Sequence, residues 1–330
     1  MNRLVNPAGS IRFGLYDEIV DHVNYEDYRL ETPMGWIVPG FLKKFKFNQF
    51  HFLGIIGPEV MVGMAVVDLK YLASGFFYVY DRKTGELFDT KKLAFPGRDK
   101  YIKPYPETMA SGFNSGRLMI TMKDRHISAK GEGISLDAKF EPVDPNPLRL
   151  CSRAGYNGWV YTQKTGPVEL FGEITYNGKH INISPPSYMG LVDWTGGFMR
   201  RETFWNWAST ACTLEDGRPF GLNLSCGVNE TSFTENAFWL DGKMTKLHSI
   251  NFVFNKNDIR DPWRMSSLDK KVDLVFYPEN LRGEKINVLF IASRFTQLIG
   301  AFEGQVVSET GERVTLRGCP GWTEDHYAKW

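Results

Sequence analysis

Residues 172–184 read GEITYNGKHINIS. On either side of Asn177-Gly178, apolar and polar residues alternate with the period of two that sends successive strand side chains to opposite faces. Asn-Gly accepts positive φ at both central positions of a two-residue hairpin loop, the geometry that matches the right-handed twist of the strands it joins. The stretch predicts an antiparallel hairpin. The same signature of strand, polar turn with glycine, and strand recurs at Thr84-Gly85, Asp216-Gly217, Asp241-Gly242 and Thr310-Gly311. Phe52–Leu69, FLGIIGPEVMVGMAVVDL, is the most apolar run. Gly57-Pro58-Glu59 breaks it into a buried hairpin, too interrupted for a membrane span. In KKFKFNQFHFLGII, Phe45 and Phe47 alternate, then Phe50 and Phe52, and the one-residue slip between the pairs predicts a bulge.

Many short strands at a spacing of about 8–12 residues, with almost no helical periodicity, predict an all-β chain built as a sandwich or as up-and-down barrels. Aromatic residues make up 14% of the chain, which favours strands and an aromatic-lined interior. At 330 residues two units are favoured over one. Proline clusters at Pro142, Pro145 and Pro147 and at Pro185-Pro186 are the candidate seams. The second is taken, because a fresh series of hairpins follows it. The expected units are residues 1–186 and 187–330.

The charge balance excludes some partners. With 39 basic and 38 acidic residues the net charge is +1, so no overall field draws the chain to nucleic acid. Cys151, Cys212, Cys226 and Cys319 are scattered without a CxxC, which predicts reduced thiols in a cytoplasmic protein. The opening MNRLVNPAGSIRFG has no apolar signal region. There is no phosphate-binding glycine loop, no GxGxxG and no GxSxG. The six histidines stand apart without HExxH or HxH. No metal and no cofactor are expected.

The candidate chemistry gathers between residues 193 and 239. DWTGGFMRRETFWNWAS, Asp193–Ser209, holds three tryptophans, two arginines and two carboxylates. Read as a strand, ETFWNWAST puts Trp205 and Trp207 on one face and Asn206 on the other. Trp194 and Trp239 are candidates to join them around a cavity. Core packing accounts for the same tryptophans, each stabilising by roughly 1.5–3 kcal/mol on burial. On a strand, one of Arg200 and Arg201 faces inward, and a buried arginine needs a carboxylate from among Asp193, Glu202, Glu230 and Glu235. Asp193 is alternatively a turn residue bonded to the TGG backbone. Asn223, the pair Asn229-Glu230 and the pair Glu235-Asn236 complete the ligand-binding candidates, the last two bracketing the loop NETSFTEN. The closing GWTEDHYAKW pairs Asp325 with His326 and otherwise reads as an exposed tail.

GWVYTQK, GEITYNGKHINISPPSYMGLVDWTGG, RRETFWNWAS, DGRPFGLNLSCGVNE, TENAFWLDGKMTKL, DPWRM and GWTEDHYAKW occur in this order. In these the chain resembles a bacterial family called domain of unknown function 2804, over nearly its whole length. That family is distantly similar to tandem lipocalin-like proteins of the calycin group, among them carotenoid 1,2-hydratase, pericyclases of fungal polyketide pathways and a eukaryotic survival factor that carries ceramide. The resemblance implies two lipocalin-like antiparallel β-barrels in tandem. In the hydratases a WDW strand follows an acidic residue and a tryptophan, much as Trp205-Asn206-Trp207 follows Asp193-Trp194 here. The His-containing WG motif of those hydratases has no counterpart in VDWTGG.

The leading expectation is a cytoplasmic protein that binds a hydrophobic small molecule, a lipid or isoprenoid, in a cavity near Trp194, Trp205 and Trp207. The alternative is a cofactor-independent hydratase, isomerase or cyclase with Asp193 or Glu230 as the buried acid, and tryptophan faces stabilising a cation by about 0.5–2 kcal/mol. A third reading, an interaction module with core tryptophans, is favoured if no cavity of at least about 300 Å³ lies beside Trp205.

Overall fold

The structure, a computed structural model, describes residues 1–95, 97–143, 146–228, 233–288 and 291–330. Among the described residues it is all-β apart from one six-residue helix, Gly40–Phe45, and two single 3-10 turns. Two curled antiparallel sheets follow one another along the chain, in keeping with tandem lipocalin-like domains. The first runs from Leu87–Ala94 at one edge through Ala73–Asp81, Val60–Asp68, Asn48–Ile56, Met189–Gly197 and Gly158–Tyr176 toward Lys100–Ile102 at the other. The second runs from Lys243–Lys246 through Ala237–Leu240, Pro219–Cys226, Glu202–Thr213, Arg313–Lys329, Ile291–Val307 and Val272–Val288 to Trp263–Ser267 and Ile250–Val253.

The hairpins lie where turn chemistry puts them. Asn177 and Gly178 both have positive φ, as do Asp241 and Gly242, and each pair joins strands in direct register. The slip at residues 45–50 has a different cause from the one expected. Phe45 ends the helix, Phe47 lies in the connection and the strand begins only at Asn48, so the slip falls outside the strand, which is in regular register. The real irregularity of the first sheet falls at Gly166-Pro167, where register shifts between Thr165 and Val168.

The expected seam at residue 186 also moves. Met189–Gly197 hydrogen-bonds to Asn48–Ile56 on one side and Gly158–Tyr176 on the other, so it belongs to the first sheet. The chain passes to the second sheet across residues 198–201. Prolines 185 and 186 sit in a turn inside the first sheet, because a proline pair stops a strand wherever the sheet needs a turn.

Each sheet wraps its own core. Leu53, Ile55, Val62, Met64, Phe77 and Trp194 face inward in the first, and Leu222, Leu224, Phe276, Leu298 and Phe302 in the second. A third cluster forms where the outer faces meet, with Ile56, Met61, Tyr78, Leu191, Trp207 and Trp322. Strands buried on both faces lose the alternation of a half-exposed strand, which is why Val60–Val67 reads as an unbroken apolar run. Close approach requires glycine here. A Cβ on Gly54 would lie 2.6 Å from the Trp322 ring, and one on its cross-strand partner Gly63 would lie 2.5 Å from Tyr78.

Candidate functional site

The sheets touch around Gly54 and Trp322 and part toward the end where Asn48–Ile56 begins and Arg313–Lys329 finishes. The opening is a cleft of about 260 Å³. Phe50, Phe52 and Phe76 line it from the first sheet, and Trp205, Phe295 and His326 from the second. Phe52 meets Trp207 edge-on at 5.7 Å and Trp322 at 5.9 Å, closing the deep end.

One carboxyl group stands in this aromatic wall. Trp207, Glu324 and Gln297 are cross-strand neighbours on three adjacent strands, and Trp205, His326 and Phe295 form the next row. Trp205 donates its indole N–H to Glu324 Oε2 at 3.1 Å, and Gln297 donates Nε2–H to Glu324 Oε1 at 2.7 Å. Tyr78, from the opposite sheet, donates its hydroxyl to Gln297 Oε1 at 2.7 Å. Glu324 lies deep in the protein and meets solvent only through the cleft. Burial pushes its pKa up to about 7, outweighing the hydrogen bonds from Trp205 and Gln297, and the charge of Asp193 adds to the rise. The carboxyl is therefore half protonated near neutrality. His326, 4.1 Å from the Trp205 ring and hydrogen-bonded through Nε2 to Ser293 at 3.0 Å, is pushed down to about 3 by burial and stays neutral.

Buried cations help hold the walls together. Lys164 Nζ contacts Asp193 Oδ2, its neighbour across the ladder, and Glu235 Oε2 at 3.1 Å from the second sheet's side. Burial works against the Lys164 charge, but Asp193 and Glu235 outweigh it and raise its pKa. Burial raises Glu235, with Lys164 opposing and Asp193 reinforcing. Arg282 reaches from the second sheet to Asp89 of the first, with Nε and Nη2 at 3.2 and 3.0 Å from Oδ2. Its guanidinium lies 4.1 Å from the Phe76 ring centre.

Over residues 1–330 the sequence matches the family described as domain of unknown function (DUF2804). The chain belongs to that family. No curated protein matches it. Among solved structures, this DUF2804 chain is similar to kievitone hydratase from Nectria haematococca, at 8% identity over 86% of this chain and 88% of that one, with a TM-score of 0.52. That likeness shows a shared fold. An AttH protein from Nitrosomonas europaea matches at 13% identity over 86% and 92% of the two chains with a TM-score of 0.49. CghA matches at 8% over 86% and 88% with a TM-score of 0.44.

The DUF2804 structure scatters the residues singled out from sequence. Asp193, Trp205, Trp207 and Glu235 line the cleft. Trp194 does not, because it alternates with Asp193 and points into the first core beside Tyr161. Trp239 is buried against Leu148, away from Trp205. Arg200 and Arg201 are both exposed. They precede the strand that begins at Glu202, so strand alternation sends neither inward, and Asp193 pairs with Lys164 instead. Asn206 faces away from the cleft and donates to Asp325 Oδ1 at 3.1 Å. Asn223 accepts from the Trp207 indole at 2.9 Å and donates to the Glu235 carbonyl at 2.7 Å, so it positions two cleft residues. Asn236 ties the Ser225 amide to the His248 carbonyl. Asn229 and Glu230 lie outside the described residues.

Sequence reading missed Glu324, Gln297, Tyr78, Arg282 and Lys164, and it paired His326 with Asp325 where the structure hydrogen-bonds it to Ser293 in the cleft. The closing segment is no tail. Arg313–Lys329 is a central strand with partners on both sides. Trp322, Glu324, His326 and Ala328 alternate with Thr323, Asp325 and Tyr327, and that period of two was the available signal. Polar residues on both faces conceal it from a search for alternating hydrophobicity.

Proposed function

We propose that the cleft binds a small, largely apolar, unsaturated molecule, and that Glu324 is the proton donor of a hydration, isomerisation or cyclisation needing no cofactor. The single observation behind this reading is a near-neutral carboxyl held inside an aromatic cleft by two neutral donors. The volume of about 260 Å³ falls short of the roughly 300 Å³ set for a ligand cavity beside Trp205, which by that criterion favours the interaction-module reading, and only the acid in the aromatic lining argues for a ligand against it. The volume favours a compact molecule over a whole lipid or isoprenoid chain. Simple storage also gives no role to a buried acid with a raised pKa, so the chemical reading moves ahead of the carrier reading.

The proton would pass from Glu324 to an alkene carbon, forming C–H as O–H breaks. The adjacent cationic carbon would face the Trp205 and Phe295 rings, whose quadrupoles stabilise it. The new carboxylate keeps both N–H donors, and charge-assisted bonds are stronger than neutral ones, so they offset part of the burial penalty on the ionised state. Water adding to the carbon would return a proton to Glu324. A hydratase with the same fold supports that class of reaction, while 8% identity supports no residue role. The cytoplasmic setting belongs to the same proposal and is supported by the thiols of Cys151, Cys212 and Cys319. Among the described residues no helix is long and apolar enough to cross a membrane.

The test is an apolar extract of the producing cells incubated with protein in heavy-oxygen water and profiled by mass. A labelled product formed by the wild type and lost in Glu324→Gln supports the role. Equal turnover by the variant removes Glu324 from the mechanism.

A further inference from the structure

The segment leading into the cleft strand Asn48–Ile56 carries a second feature that the proposed chemistry does not use. Residues 31–46 read ETPMGWIVPGFLKKFK. Glu31 and Ile37 form an isolated bridge, Thr32 N–H bonds to the Trp36 carbonyl at 2.8 Å, and Gly35 turns the tip with φ +81°. The helix Gly40–Phe45 follows and leads directly into the strand that carries Phe50, a cleft wall residue. Met34 and Trp36 at the tip are 82% and 75% exposed, Ile37 63%, Phe41 68%, Phe45 48% and Leu42 44%. Six large apolar side chains in twelve residues thus face solvent together, the pattern that marks an interaction surface.

This surface is built, not loose. Asn157 Nδ2 holds the hairpin stem through the Glu31 and Thr32 carbonyls at 2.8 and 3.1 Å. Lys43 Nζ holds the helix through the Tyr28 carbonyl at 3.0 Å, and Phe47 stacks on Tyr25 with ring centres 3.8 Å apart. Lys44 and Lys46 are exposed and form no ion pair among the described residues. The neighbouring acids Asp27 and Glu31 are already matched by Arg3 and Arg29, which leaves Glu26 against two lysines.

We infer that the tip 33–37 and the helix Gly40–Phe45 dock the protein on an anionic lipid bilayer, with Trp36 and Phe41 entering the interface and Lys44 and Lys46 meeting headgroups. A standard protein interface engages about 20–30 residues a side, far more than this projection offers. A short projecting tip with tryptophan, phenylalanine and flanking lysines suits a headgroup layer, where aromatic rings and lysines anchor. The helix leads within three residues into the strand whose Phe50 lines the cleft and packs on Trp330, with ring centres 5.5 Å apart. Docking itself rests on the exposed patch and stands whether or not Glu324 is an acid catalyst.

The experiment is co-sedimentation of the full chain with phosphatidylcholine vesicles, with and without phosphatidylglycerol. The wild type should sediment with the anionic vesicles. Trp36→Ser with Phe41→Ser should weaken partitioning at least about tenfold without changing the circular dichroism spectrum, since both side chains are exposed. Lys44→Glu with Lys46→Glu should abolish the preference for phosphatidylglycerol. Glu324→Gln should sediment like the wild type, which separates this inference from the catalytic one. Wild type left in the supernatant with both vesicle types overturns docking, as does undiminished sedimentation of the serine variant. A dimer in sedimentation velocity that the serine variant dissolves, with no vesicle binding, assigns the face to a second copy and also overturns it.

Discussion

Replacing Glu324 by glutamine should make the protein more stable at neutral and alkaline pH. The folded carboxyl titrates at about 7 against an ordinary value of 4.5, because the buried site disfavours the charged form. A rise of that size corresponds to about 3 kcal/mol of differential interaction. The sign follows from proton counts. Between these two pKa values the folded chain holds a proton that the unfolded chain has lost, so stability falls as pH rises. The contribution of the neutral carboxyl is complete below about pH 4.5 and lost as pH climbs through about 7. Glutamine has no such dependence. Its oxygen can accept from Trp205, and its NH₂ can donate to Gln297 if that amide turns over, leaving Gln297 to donate to Tyr78. Urea unfolding of both proteins across pH 4.5–8 isolates the residue, since every other group cancels in the difference. The two should be close near pH 4.5, and the variant should gain about 3 kcal/mol by pH 8. Parallel curves across that range would refute the raised pKa and with it the proposed proton donor.

Lys164→Met should cost about 3–5 kcal/mol in urea unfolding at pH 7.5, because it strands Asp193 and Glu235 together without their cation. The loss should shrink as pH falls and Glu235 takes up a proton, whereas a loss independent of pH would point to packing alone. Gly54→Ala should destabilise by about 1–3 kcal/mol, since the added methyl meets the buried Trp322 ring, and an unchanged melting temperature would contradict that contact. Cys212 and Cys319 lie with sulfurs 3.1 Å apart on neighbouring strands, so a thiol-specific oxidant such as diamide should link them. Intact mass should then fall by two hydrogens in the wild type and not in Cys319→Ser.

The hairpins and the all-β class were legible because they depend on local chemistry. Asn177-Gly178 and Asp241-Gly242 need only their own φ values and the alternation beside them. The unbroken apolar run at Val60–Val67 announced a strand covered on both faces, but not what would cover it. The candidate site was legible only in part. Trp205 and Trp207 fall on one face by strand alternation, and Asp193 was singled out near them, yet its predicted arginine partners precede the strand and remain in solvent. Lys164 could not be found this way, because its pairing with Asp193 depends on a ladder between strands 29 residues apart.

By itself the sequence determined the turns, the strand period and the family, all of which are carried by neighbouring residues or by motifs in fixed order. Tertiary structure alone decided the site. Glu324 is an ordinary carboxylate in sequence, and becomes a near-neutral acid only when Gly54 lets the first sheet approach Trp322 and the two sheets bury it. Burial is a property of the assembled faces, and the residues that create it here come from strands more than 200 positions apart in the chain.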